Sequence, residues 1–158
     1  MQIQLEQHIN APAEKAWQKL GPEFSEISAW ANDVTLSRAL SADEIPAGIK
    51  VANEAPVPGR YTESRVVKAR EVLVEYSDSQ MMFTFHAVGL PKFISRTSNT
   101  TRVVPTDNNS CTVTFDIQID FKGIAKVFAP IMKKRLSSSG PGKVIRELKE
   151  LLEKEAIV

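Results

Sequence analysis

The sequence predicts an α+β fold of the helix-grip kind. A curved antiparallel sheet of about seven strands wraps a long C-terminal helix, and two short helices follow the first strand. Three observations carry this. The chain reads in order as one strand, a helix pair, six more strands and a terminal helix. From Cys111 to Lys122 apolar and polar residues alternate without exception, as in an antiparallel strand with one buried and one wet side. After Gly123 the apolar period changes from two to that of a helix. A sheet that grips a helix leaves a cavity between them, so binding of a small apolar molecule is the first functional expectation.

The elements follow in sequence. Gln2 to Ile9 is a strand with Ile3, Leu5 and Ile9 on one face and Gln4, Glu6 and His8 on the other. Asn10 is placed to accept hydrogen bonds from the first helical N–H groups, and Pro12 suits a first turn. The first helix runs from Ala13 to Leu20 and stops at Gly21-Pro22. A second, from Glu23 to Ser28, turns Phe24 and Ile27 toward the core. Val34 to Leu40 is a strand with Val34, Leu36, Arg38 and Leu40 on one face. Residues 41–58 hold Pro46, Pro56 and Pro58 and read as a long loop, with room for a short strand at Ile49 to Ala52.

Further strands are expected at Tyr61 to Lys68, Arg70 to Tyr76, Gln80 to Val88 and Phe93 to Val104. Asp107-Asn108-Asn109 is the sharpest turn, because Asn and Asp tolerate positive φ. Past Gly123, Ile124, Val127, Phe128 and Ile131 form one helical stripe, and Val144, Leu148, Leu151 and Leu152 form another. The two are about a third of a turn out of phase at 3.6 residues per turn, so a break or sharp kink is expected near Gly140.

A chain of 158 residues fits one domain that buries roughly 70% of its unfolded surface. Apolar residues at 42% and charged residues at 25% are ordinary globular values. The net charge of +1 argues against a nucleic-acid partner. Cys111 stands alone, which excludes an internal disulfide and leaves a buried, inert thiol as its expected state. The N-terminus lacks a signal peptide's basic and apolar regions, and no run approaches the ~18 apolar residues of a membrane span. A cytoplasmic protein is expected.

Alternation assigns the cavity-facing side chains. Val72, Val74 and Tyr76, then Met81, Phe83 and Phe85, line the concave face of the sheet in this reading. Phe93, Ser95, Thr97, Asn99 and Thr101 follow from the next strand, and Tyr61, Glu63, Arg65 and Val67 from the strand after the loop. Phe115 and Ile117 join from the last strand, and Val127, Phe128 and Ile131 from the helix. A single bulge would reverse any of these faces. Glu63 and Arg65, with Arg38 near, could orient a polar ligand atom or serve acid–base chemistry, although such residues more often make a surface ion pair. Tyr76 could donate a hydrogen bond into the cavity.

Other chemistry is absent from the pattern. His86 and His8 fall on outward faces of separate strands and make no metal site. There is no phosphate-binding glycine loop and no nucleophile elbow. No cofactor is implied. Trp17 and Trp30 are expected to pack the helix pair onto the sheet. Lys122 to Leu136 is basic and amphipathic, a combination used at membrane surfaces. The helix-grip layout instead predicts that its apolar stripe faces the cavity and sheet while the lysines are solvated.

The chain resembles the SRPBCC superfamily, which includes birch-pollen-type allergens, START lipid-transfer domains and the polyketide cyclase/dehydrase family. The resemblance rests on Asn10-Ala11-Pro12-Ala13-Glu14-Lys15-Ala16-Trp17, on Trp30, and on Arg70-Glu71-Val72 ahead of Tyr76-Ser77-Asp78. It closes on Phe121-Lys122-Gly123, Ala129-Pro130-Ile131-Met132-Lys133 and Leu148-Lys149. The bacterial polyketide cyclase/dehydrase-like group is the nearest in appearance. The resemblance implies the helix-grip fold and carries over no universal catalytic residue. Gly140-Pro141-Gly142 departs from the uninterrupted last helix of the superfamily.

Three functions compete. The first is a carrier or sensor of a hydrophobic, lipid-like or aromatic metabolite. The second is a cyclase/dehydratase-type enzyme that uses positioning plus Glu63 or Tyr76. The third is a protein-interaction module, which an apolar outer sheet face including Met82 and Val88 would support.

Overall fold

The computed structural model describes residues 1–65 and 67–157. Val66, inside the span expected as a strand, and the terminal Val158 lie outside the described residues. The strands are β1 (Gln2–Ile9), β2 (Val34–Ala39), β3 (Gly59–Ser64), β4 (Lys68–Ser77), β5 (Met82–Val88), β6 (Ile94–Asp107) and β7 (Ser110–Phe121). They form one antiparallel sheet in the order β1-β7-β6-β5-β4-β3-β2. Because β1 and β2 lie at opposite edges, the chain between them must cross the sheet. Helix α1 (Ala13–Leu20) and a 3-10 segment (Phe24–Ala29) make that crossing.

The C-terminal part is a 3-10 segment (Gly123–Phe128), α2 (Ala129–Ser138) and α3 (Pro141–Ile157). This is the helix-grip fold, with the terminal helix bent. The break predicted near Gly140 is present. Gly140 adopts φ +57, a left-handed conformation that glycine adopts readily and that ends a helix. The last carbonyls of α2 find other donors. Hydroxyls of Ser137, Ser138 and Ser139 donate to Lys133 O, Lys134 O and Arg135 O, and Arg146 of α3 donates to Ser137 O and Ser138 O.

The core lies between the sheet and the helices. Ile3, Ile9, Cys111, Val113, Phe115, Ile117, Ile119 and Phe121 point into it, as alternation predicts, and meet Ile145, Leu148 and Leu152 of α3. Burial raises the pKa of the Cys111 thiol, which agrees with an inert role. Trp17 packs on Tyr76 and Phe83 at centroid distances of 5.4 and 6.0 Å, and its indole N–H donates to Asp78. Trp30 packs against the same core.

Local expectations are corrected at several points. Asn10 caps no helix: its backbone N–H donates to Glu153 of α3, and the N-cap is Pro12, whose carbonyl accepts from Lys15 and Ala16. Residues 49–52 form no strand, although Ala52 N–H donates to Leu73 O. The β6–β7 turn is tight without positive φ at Asn108 or Asn109. Asp107 stabilises it by accepting from Asn109 N–H at 2.7 Å, an Asx turn.

Candidate functional site

A cavity of about 640 Å³ opens between the concave face of the sheet and the α2–α3 break. Its apolar wall is Phe83 and Phe85 from β5, Phe115 from β7, Leu20, Ile27 and Val144. Rows of paired strand residues explain the grouping: Phe83 opposes Thr101, which opposes Phe115, and Phe85 opposes Asn99, which opposes Ile117. Thr101 donates to Asn99 Oδ1 at 3.5 Å, so two polar groups interrupt an aromatic floor.

Three charged side chains lie in the wall. Arg60 of β3 pairs with Glu71 of β4 at 2.5 Å, with side-chain exposures of 12% and 16%. The Arg60 guanidinium also donates to Phe24 O and stacks over the rings of Phe24 (4.0 Å) and Phe85 (5.5 Å). Glu147 of α3 is only 8% exposed. Its Oε2 accepts from Asn32 N–H at 3.1 Å, while its Oε1 is buried without a hydrogen-bond partner. The nearest cation to Oε1 is Lys143 Nζ at 3.9 Å, which itself pairs with Asp33 at 2.8 Å. Asn32 and Asp33 thereby tie the start of α3 to the chain ahead of β2. Arg65, Val67, Arg135 and Lys143 complete the mouth.

Bulges on β2, β4 and β6 redirect several of the expected site residues. Phe83, Phe85, Asn99, Thr101 and Phe115 line the cavity; Ile117 is buried in the core beside it. On β2 a bulge between Val34 and Leu36 turns Val34 inward and Arg38 outward. On β3 the cavity face is Arg60, Thr62 and Ser64, so Tyr61 and Glu63 point away from it. Glu63 accepts from Tyr61 at 2.6 Å, and Arg38 stacks over the Tyr61 ring at 4.9 Å. Only part of the expected cluster forms, on the outer face: Glu63 and Arg38 both meet Tyr61, without Arg65. Arg65 lies past the end of β3, exposed at the cavity mouth.

On β4 a bulge between Leu73 and Glu75 shifts the register. Val72 takes the face opposite Glu71, paired with His86. Val74 and Tyr76 border a shallower cleft of about 490 Å³ shared with residues 50–54. The Tyr76 hydroxyl donates to Asp78 at 3.0 Å, and burial together with that bond raises its pKa far above the ordinary phenol value. A phenol held protonated this way is a poor base. Met81 is in the β4–β5 turn at φ +49, packed against the core. A bulge between Ile94 and Arg96 leaves Ser95 exposed, its hydroxyl on Asp120 O, and Phe93 half-exposed before the strand. Thr97 pairs with Ile119 without lining the cavity. Val127, Phe128 and Ile131 are exposed, contrary to expectation. On the same helical segment Ala125, Ala129, Met132 and Leu136 make the core contact instead.

Sequence reasoning missed Arg60, Glu71 and Glu147. Arg60 lies one residue ahead of the strand expected from Tyr61, and Glu147 is a charged position within the terminal helix. Of the two outer-face residues named for an interaction module, Met82 is buried and Val88 is half-buried.

The Arg38–Glu44 pair on the outer face gives a pH prediction. Its hydrogen bonds of 2.7 and 2.8 Å lower the Glu44 pKa from 4.5 to about 2. Lowering in the folded state means the contribution to stability is complete above about pH 4.5 and vanishes as pH falls through about 2. The melting-temperature gap between the wild type and Glu44→Gln is expected to close over that interval, and a pH-independent gap would refute the assignment.

A concave antiparallel sheet, a bent terminal helix and an aromatic-lined cavity between them define the START-like class of helix-grip proteins. The chain belongs to the family described as polyketide cyclase/dehydrase and lipid transport, whose model matches residues 1–153. Among solved structures it is similar to a START superfamily protein from Mycobacterium smegmatis, with TM-score 0.73, 12% identity and 97% of each chain covered. The norcoclaurine synthase of Thalictrum flavum, a point mutant in complex with a transition-state analogue, gives TM-score 0.71 and 11% identity over 99% of this chain and 96% of that one. The di-domain ARO/CYC protein BexL of the BE-7585A biosynthetic pathway gives 0.74 and 10%, covering 95% of this chain and 45% of that one. No curated protein matches the sequence. Family and fold together indicate hydrophobic-ligand binding or a polyketide-cyclase-type function.

Proposed function

We propose that the chain binds a small, mostly apolar molecule in the cavity between sheet and helix, as a carrier or sensor. One observation carries the reading. The cavity is of ligand size, about 640 Å³, and beside its aromatic wall it is lined by Glu147, whose Oε1 makes no hydrogen bond and has only Lys143 Nζ, 3.9 Å away, as a charge partner. A buried acceptor left unsatisfied is costly, and a hydroxyl or amine on the ligand would satisfy Glu147 Oε1. The ligand is therefore an apolar body, aromatic or lipid-like, that carries at least one hydrogen-bond donor.

The test is native mass spectrometry of the purified protein against the same sample denatured, with N-phenyl-1-naphthylamine titration as a neutral apolar probe. The expected result is a bound species of a few hundred daltons that leaves on denaturation, or a saturable single site for the probe. Glu147→Gln is expected to weaken the endogenous ligand by about threefold to thirtyfold, since a charged acceptor is replaced by a neutral one. A clean apo mass together with no saturable probe site would overturn the reading.

A second reading, catalysis of the cyclase or dehydratase kind, is favoured by the same Oε1. With Glu63 on the outer face and Tyr76 held protonated, Glu147, a residue of the cavity lining, is the remaining carboxylate candidate for the acid–base role. Here Glu147→Gln would retain a bound molecule whose mass differs from that of the product released by the wild type.

A further inference from the structure

We propose that the 3-10 segment Gly123–Phe128 together with α2 is a docking surface for an anionic lipid bilayer. The segment carries two apolar stripes. One, Ala125, Ala129, Met132 and Leu136, is packed against the core. The other holds larger side chains and faces solvent: Ile124 is 88% exposed, Val127 71%, Phe128 56% and Ile131 60%. Spacings of three and four residues place these four on one ridge. Phe93, half-exposed, joins its base, because Phe93 O accepts from Lys122 N–H. A contiguous exposed ridge of this kind marks an interaction surface.

Charge identifies the partner. From Lys122 to Arg146 the sequence holds seven basic residues and no acidic one, in a chain whose net charge is +1. The rest of the chain therefore carries −6, thirteen basic against nineteen acidic residues. Lys122, Lys126, Lys133, Lys134 and Arg135 are exposed, and none pairs with a carboxylate among the described residues. Exposed aliphatic and aromatic side chains beside unpaired cations are what an interfacial helix presents to anionic headgroups. A second copy of the chain is disfavoured, because two-fold pairing would set one cationic ridge against another. The ridge also adjoins the cavity, whose mouth includes Arg135, Ser139 and Gly140. Docking would hold that mouth close to the bilayer.

The experiment is flotation with vesicles of equal parts phosphatidylglycerol and phosphatidylcholine, against pure phosphatidylcholine, at low and high salt. The wild type is expected to float with anionic vesicles at low salt, and not with neutral ones. Raising the salt releases it, because the Debye length falls from ~30 Å at 0.01 M to ~3 Å at 1 M. Phe128→Ser combined with Ile131→Ser is expected to lower partitioning by at least about tenfold through lost apolar burial. Lys126→Gln, Lys133→Gln and Lys134→Gln are each expected to lower it about fivefold. All five side chains are exposed, so thermal unfolding without vesicles should match the wild type. Absence of flotation with anionic vesicles, or flotation unchanged in the Phe128/Ile131 variant, would overturn the proposal. So would sedimentation of the wild type as a dimer that this variant dissolves, which would assign the ridge to a second copy. Ligand binding in the cavity is read separately, so the two proposals fail independently.

Discussion

Arg60→Met is expected to lower the free energy of unfolding by about 3–5 kcal/mol, which is a large part of the stability of a domain this size. The reason lies in what remains. The Glu71 carboxylate, with only 16% of its side chain exposed, loses the guanidinium that balances it. The Phe24 carbonyl loses a donor, and the rings of Phe24 and Phe85 lose a cation 4.0 and 5.5 Å from their centroids. Urea denaturation measures the loss. The double variant Arg60→Met/Glu71→Leu is expected to recover much of it, since removing both charges leaves no uncompensated one. A loss below about 1 kcal/mol in the single variant would mean that water reaches Glu71 and that the pair is in effect a surface ion pair.

Gly142→Ala is the second large effect, expected at about 3 kcal/mol or more, at the upper end for overpacking. A Cβ at this buried position would overlap the carbonyl of Ser137, with Leu136 O only 3.1 Å away. The obstacle is backbone, which cannot rotate aside, so the α2–α3 junction must open. Its hydrogen bonds, from Arg146 to Ser137 O and Ser138 O, would stretch with it. Because Arg135, Ser139 and Pro141 border the cavity at this junction, apolar-probe binding should weaken along with stability. Gly140→Ala acts differently. It meets only Leu136 at 3.9 Å but requires a left-handed residue at φ +57, a cost of about 1 kcal/mol. Equal losses in the two variants would contradict the steric account.

The frame of the fold was legible because its signals are local. Strand β7 alternates perfectly, and each apolar residue from Cys111 to Phe121 is buried. The α2–α3 break announced itself through two stripes out of phase and a glycine between them. The candidate site was less legible. Arg60, Thr62 and Ser64 alternate with Tyr61, Glu63 and Arg65, and both faces of that strand hold polar groups, so hydrophobic pattern could not choose between them. Tyr61 looks like the inward residue by size. The protein turns it outward under Arg38 and buries Arg60 against Glu71 and two phenylalanines instead.

The sequence by itself determined the order of elements, the antiparallel sheet, the burial of Cys111 and the place of the helix break. Each follows from periodicity and from residues with fixed backbone preferences, which act over a few positions. Only the tertiary structure decided which face of β2, β3 and β4 lines the cavity, since a bulge on β2 and on β4 inverts the side chains beyond it and both faces of β3 are polar. It also decided which of two apolar stripes on the helical segment is buried. Ala125, Ala129, Met132 and Leu136 take the core contact, and the bulkier ridge from Ile124 to Ile131 is left in solvent. Helical spacing permits either choice, and the packing of the segment on the rest of the core selects one.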